Sequence, residues 1–272
     1  MNSHNSMRRF LPVLGLLPLL LGGCALFDGS EKKVISHDLQ DQVSREQAPE
    51  KVVPRHLALA KDLINQKHYE VALRQLELAM KNEKGAELYY LEGVCYRETG
   101  NLEKAFFSFR KAIDQEKTFA MAYNGLGLTF VRMEQLDKGI EALRQAIHYD
   151  PARADFLNNL GYALMKDKQY SEAARYLRRC LTIDPGHVVA RNNLAISYGF
   201  TGQEQEALSV LLEGNPPEVA YRNMSAIYQM TGDPQKAAAA RQMAARKYRE
   251  KQQEEKNREE QEDEVRHPLP LN

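Results

Sequence analysis

Residues 156–207 read FLNNLGYALMKDKQYSEAARYLRRCLTIDPGHVVARNNLAISYGFTGQEQEA. Inside this stretch Leu160-Gly161 returns as Leu194-Ala195, and Ala173 returns as Ala207, each 34 residues on. The spacing extends outward: Gly93, Gly127, Gly161 and Ala195 keep it, and so do Ala105, Gly139, Ala173 and Ala207. Ala60 and Ala72 open an earlier copy 33 residues upstream, and Ser225 and Ala237 close the series 30 residues on. Large apolar residues recur beside the small ones, as Tyr96, Phe130, Leu164 and Tyr198, and again as Phe109, Leu143, Leu177 and Leu211. Small residues let two helix backbones approach, and large ones fill the gaps alongside. The pattern predicts a stack of helix pairs in which each unit buries its apolar face on its neighbours.

Composition agrees with an all-α reading. The chain has 272 residues, no Trp, and much Ala, Leu, Glu, Lys, Arg and Gln, whose side chains lose little freedom in a helix. Lys plus Arg and Asp plus Glu both number 37, so the net charge is zero and gives no electrostatic case for a nucleic-acid partner. The three cysteines, Cys24, Cys95 and Cys180, are too few for a disulfide framework. Cys95 and Cys180 fall in helical patterns beside apolar neighbours and read as small buried thiols.

The period and the residue types resemble the tetratricopeptide repeat, over about residues 53–250. The resemblance implies a right-handed superhelical solenoid of about six helix pairs. Pro54 is expected near the start of the first helix, and Pro151 and Pro185 just beyond second helices. Two departures stand out. Gly139 replaces the usual alanine at a cost of about 1 kcal/mol in helix propensity. Glu213-Gly214-Asn215-Pro216-Pro217 truncates the fifth repeat, and the sixth follows early. From Pro234 a last helix is expected to run into a charged extension, 251–272, polar on every face and ending in a disordered tail.

The amino-terminal stretch is of another kind. Arg8 and Arg9 precede an apolar run from Phe10 to about Leu21, interrupted by Pro12 and Pro18. A membrane-spanning helix needs roughly 20 apolar residues, whereas a basic start, a short apolar centre and a small-residue exit make a secretory signal. Leu21-Gly22-Gly23-Cys24 resembles the bacterial lipobox. That resemblance implies removal of residues 1–23 and acylation of Cys24, whose covalent lipid is then the membrane anchor. Ala25, where Asp commonly marks inner-membrane retention, implies the periplasmic face of the outer membrane. Residues 24–52 then form the lipidated cysteine and a polar tether.

No catalytic set is apparent. The seven histidines are scattered without metal spacing, no G-x-S-x-G elbow occurs and no glycine-rich loop follows a strand. His68, His148 and His187 fall at helix ends or turns, where solvated or capping roles suit them. The expected class is a binding module rather than an enzyme, with no metal and no cofactor.

In tetratricopeptide arrays the first helices line the inner face, at repeat positions 2, 5, 9, 12 and 13. Position 5 falls on Tyr90, Asn124, Asn158, Asn192 and Arg222, and position 9 on Val94, Leu128, Tyr162 and Ile196. Position 2 adds Met121, Val189 and Val219; positions 12 and 13 add Arg97, Val131, Arg132, Met165, Lys166, Phe200 and Met230. An asparagine row thus lies beside an apolar stripe. Amides can pair with both donors and acceptors of an extended peptide, and the stripe would take its side chains. Asn159 and Asn193, one residue on, belong to the ordinary repeat pattern, so a partly structural role for the row stays open.

The array following the lipobox resembles TadD-type lipoproteins of the tight-adherence (Flp) pilus and, less closely, PilF/PilW-type pilotins of type IV pili. Its carriers are the 156–207 stretch and the broken fifth repeat. The resemblance implies a scaffold that holds a secretin or another pilus or secretion component during assembly. An alternative is a periplasmic adaptor for peptidoglycan hydrolases or synthases. Self-association stays open.

Overall fold

The computed structural model describes residues 49–266, with side chains over 53–262 and at Arg266. The signal, Cys24, most of the tether and the last six residues lie outside the described residues.

Among the described residues twelve α-helices form six pairs: α1 (Pro49–Asn65) with α2 (Tyr69–Met80), α3 (Ala86–Glu98) with α4 (Leu102–Gln115), and α5 (Ala120–Arg132) with α6 (Leu136–Tyr149). They continue as α7 (Ala154–Lys166) with α8 (Tyr170–Ile183), α9 (Val188–Phe200) with α10 (Glu204–Gly214), and α11 (Pro217–Met230) with α12 (Pro234–Arg266). No strand occurs among the described residues. Each helix packs on the next, and the first helices of successive pairs also touch: α1 on α3, α3 on α5, and so on to α11. Second helices make no comparable contact with one another, so the array closes on the side of its first helices.

The small and large residues work as their spacing predicts. A Cβ on Gly161 would stand 2.6 Å from Leu177 Cγ, and one on Gly127 would stand 2.6 Å from Leu143 Cγ. Helix pairs pack closely there because glycine leaves the room that leucine fills. Phe109, the one phenylalanine at that position, is larger and needs glycine twice: a Cβ on Gly93 would meet its ring at 2.8 Å and one on Gly125 at 2.4 Å. The core is a run of linked clusters, from Val53–Cys95 through Phe109 and the central Phe156–Leu194 group to Met224–Ala240.

Every turn within a pair places one residue at positive φ. Gly100, Gly202 and Gly232 do so without steric cost, but Lys67, Glu134 and Lys168 hold φ of 63°, 59° and 61° at the equivalent sites. The amides that follow reach back to the helix end, as Asn101 N does to Tyr96 O at 2.8 Å and Gln135 N to Phe130 O at 3.0 Å. That bond satisfies a carbonyl the helix would otherwise leave open.

Four readings are refined. α1 begins at Pro49, so it takes in Pro49–Val52 from the segment assigned to the tether, and Pro54 lies inside it rather than in its first turn. The Gly139 departure is a packing requirement: its Cβ would stand 2.8 Å from Val131 Cγ2 and 3.1 Å from Gly127 O. Val131 fills that space and is only 3% exposed, which removes it from the inner surface. The break after α10 is real, for this helix has 11 residues where α4, α6 and α8 have 14. Arg191 packs over its end, where a Cβ on Gly214 would stand 2.4 Å from the guanidinium carbon. α12 continues unbroken for 33 residues, well past the last pair.

Candidate functional site

The inner face is built by α3, α5, α7, α9 and α11. Its asparagines are joined across repeats. Asn159 Nδ2 donates to Asn124 Oδ1 at 2.9 Å, Asn193 Nδ2 to Asn158 Oδ1 at 3.1 Å, and Asn223 Nδ2 to Asn192 Oδ1 at 3.5 Å. Asn159, Asn193 and Asn223 share one register, as do Asn124, Asn158 and Asn192. Each repeat therefore ties its neighbour at the inner surface and fixes the carbonyl side of the position-5 amide. The Nδ2 groups of Asn124, Asn158 and Asn192 donate to no protein group among the described residues and stay half-buried on the inner face. They are fixed N–H donors of the kind an extended backbone can use.

The ladder starts at Asn124 because the preceding repeat has Tyr90 at its position. Tyr90 packs on Phe109 and Phe119 with ring centroids 6.0 and 5.5 Å apart, and burial pushes its phenol up. Val94, Leu128 and Ile196 are half-buried, and Tyr162 stands out at 44% exposure. Leu128 leans on the central core, and Ile196 on the carboxy-terminal one.

Between α9 and α11 the face deepens into a cavity of about 200 Å³, lined by Asn192, Ile196, Leu211, Asn223, Ala226, Ile227 and Met230. Three of these are inner-face positions of the sequence reading: Asn192, Ile196 and Met230. Ala226 and Asn223 escaped it, although Asn223 stands in register with Asn159 and Asn193. An apolar cavity near 150 Å³ accepts benzene, so this one is large enough for a leucine or phenylalanine side chain.

The other end is cationic. Arg132 donates to Arg97 O at 2.6 Å and to Glu98 Oε2 at 3.0 Å, and Arg97 Nε donates to Glu98 Oε1 at 2.9 Å. Burial raises the Glu98 carboxyl, but hydrogen bonds from Arg132 and Arg97 outweigh it and hold the group below its ordinary value. One carboxylate thus faces two guanidinium groups, with Lys166 exposed at the next repeat.

Cys95 and Cys180 are buried, with thiols pushed up to about 12 and about 11, chiefly by desolvation. His187 caps α9, its Nδ1 accepting from Ala190 N at 3.1 Å. No group of three metal-ligating side chains occurs among the described residues, and none of their helices is long and apolar enough to cross a membrane.

Tetratricopeptide-repeat family models match residues 86–119, 124–188 and 164–230. No curated protein sequence matches the chain. Among solved structures, PilF of Pseudomonas aeruginosa aligns over 76% of this chain and 99% of its own, at 16% identity and a TM-score of 0.59. A tetratricopeptide repeat protein of Parabacteroides merdae aligns over 70% and 77%, at 17% identity and 0.57. YrrB, described as a TPR protein with an unusual peptide-binding site, aligns over 63% and 90%, at 23% identity and 0.52. These likenesses are of fold. The family models, with the period, the helix pairs and the small-residue crossings, make the chain a member of the tetratricopeptide-repeat family, whose stacked helices mediate contact between proteins.

Proposed function

We propose that the chain is a lipid-anchored scaffold that receives an extended segment of a secretin or another pilus or secretion component at the outer membrane. The observation that carries this reading is the ordered inner face, where the asparagine ladder presents fixed amide donors beside apolar positions. A strand of peptide could pair its carbonyls with Asn124, Asn158 and Asn192 and seat an apolar side chain in the cavity by Ile196 and Met230. Arg97, Arg132 and Lys166 favour acidic residues at the other end. The fold-level likeness to PilF supports a pilus-related role, and the lipobox-like Leu21–Cys24 supports the anchor.

Capture from detergent-solubilised envelopes tests the reading. Leu128→Glu with Ile196→Glu should lose a secretin or pilus component that the unaltered chain retains, while helicity is unchanged. Unaltered capture overturns the groove, and recovery of peptidoglycan hydrolases or synthases assigns the adaptor role instead. Cys24→Ser should abolish palmitate incorporation and release the protein from the outer-membrane fraction.

A further inference from the structure

The repeats supply their own control for a second surface, on the outer side of the array and independent of the groove. Where α8, α9 and α10 meet, a cleft of about 260 Å³ is lined by polar groups, among them Arg178, Thr201, Gln203 and Glu206. The equivalent cleft where α4, α5 and α6 meet, 68 residues earlier, is about 460 Å³ and lined by Phe106, Phe107, Phe130 and Met133, with Glu103, Arg110, Gln135 and Lys138 completing its lining. In the other repeats the position of Phe107 carries Arg74, Glu141, Arg175, Ser209 and Ala239. The position of Met133 carries Gln66, Thr99, Asp167, Thr201 and Thr231. Two apolar side chains therefore stand where the fold uses polar or small ones.

Phe107 serves no core. It is 62% exposed, the highest value for a large apolar side chain among the described residues. Phe106 bridges Phe107 and Phe130 with centroid distances of 5.2 and 5.6 Å, making a continuous aromatic wall. Lys138 lies over the Phe130 ring at 5.8 Å and donates to Gln135 Oε1 at 2.9 Å. Neither Lys138 nor Arg110 forms an ion pair with a carboxylate among the described residues. The cleft thus offers an aromatic surface with two cations, Arg110 and Lys138, against one carboxylate, Glu103.

We propose that this cleft docks a second copy of the chain through the segment 259–271, EEQEDEVRHPLPL. Five carboxylates fall within residues 259–264; Glu260 pairs with Lys256 at 3.5 Å and Glu262 with Arg266 at 3.4 Å, and the excess of negative charge complements Arg110 and Lys138. Val265, Pro268, Leu269, Pro270 and Leu271 follow. Proline-rich segments favour aromatic-lined grooves because little chain entropy is lost on docking. The acidic run stands at the end of α12, beyond its last ion pair to the array, Lys251 to Glu218, and residues 252–262 are exposed. The contact pairs unlike surfaces, head to tail.

Sedimentation velocity of the full mature chain across a concentration series tests this. The unaltered chain should gain mass with concentration, less so at high salt, since the cations and carboxylates are exposed and screened. Phe107→Glu with Met133→Asp gives the cleft the residues of the next repeats, Glu141 and Asp167, so it should keep its helicity yet stay monomeric. Leu269→Asp with Leu271→Asp should also stay monomeric. Mixed together, the two variants should form a dimer that grows no further, one giving its cleft and the other its tail. A monomeric unaltered chain at every concentration overturns the proposal, as does unchanged association of the Phe107→Glu, Met133→Asp chain.

Discussion

Asn193 Nδ2 donates to Asn158 Oδ1 across 3.1 Å, tying the first helices of consecutive repeats at the surface where a partner would lie. The bond divides Asn158 between two tasks: its oxygen holds the array, and its nitrogen faces the groove. Asn158→Asp keeps an acceptor for Asn193 but removes the donor, so it should hold the melting temperature and lose peptide capture. Asn158→Ala removes both and should also cost about 0.5–1.5 kcal/mol. At about 2–4 °C per kcal/mol for a chain of this size, calorimetry separates the two variants.

Phe109 and Gly125 are a matched pair. Gly125→Ala gains about 1 kcal/mol of helix propensity, yet its methyl would stand 2.4 Å from the Phe109 ring, so the variant should melt lower. In a Phe109→Leu background, with the leucine that Leu143 and Leu177 place at the same position, the alanine should become stabilising. A double-mutant cycle by denaturant unfolding reads the reversal as a coupling energy, and a sum of independent effects would refute the pairing.

Glu134 and Lys168 hold left-handed φ where Gly100, Gly202 and Gly232 do so in other repeats. That conformation costs a non-glycine residue about 1–2 kcal/mol. Glu134→Gly and Lys168→Gly relieve it against a higher chain entropy in the unfolded state, and each should raise stability by about 0.5 kcal/mol or more. Thermal melts of the single and double variants check this, with additive gains expected because the turns are a repeat apart.

The Glu98 carboxyl is held below its ordinary value of 4.5 in the folded chain. Its contribution is therefore complete above that value and is lost as the pH falls through the lowered folded one. Glu98→Gln should melt below the unaltered chain at neutral pH, and the gap should close in acid. The bridge to Arg132 is partly exposed, so the gap corresponds to the lower part of the roughly 0.2–1 kcal/mol range of such pairs. A gap that widens in acid would contradict the assignment.

Cys95 and Cys180, with thiols at about 12 and about 11, carry almost no thiolate at pH 8. Both should resist alkylation in the folded chain, and their labelling by mass spectrometry should track local opening of α3 and α8. Equal protection of the two is not expected. Repeat arrays open in segments, and Cys95 lies nearer an end.

The helix pairs were legible because a 34-residue period repeats the same packing decision four times, and each copy corroborates the rest. Less visible were features set between repeats. Nothing in Asn159 alone says that it bonds to Asn124, for that requires knowing that first helices of neighbouring pairs touch. Val131 was misplaced for a related reason: its position faces inward in the general pattern, but Gly139 opens a space that draws it into the core. Asn223 follows Arg222 at the position that Asn159 and Asn193 hold, so its register was countable, but its bond to Asn192 depends on α9 touching α11. The aromatic cleft also lay in plain sequence, since Phe107 and Met133 differ in kind from their equivalents. Its walls come from three helices, so only the fold brings them together.

α12 outruns the array it belongs to. Fifteen residues of helix follow Lys251, and at 1.5 Å per residue they form a spar of about 22 Å. A spar of that length is a spacer before it is anything else: whatever its tip touches is kept at a set remove from the last pair. If that tip rests on the outer cleft of a neighbour, the arrays become a row with a fixed pitch, and the length of α12 sets how far apart successive grooves are offered.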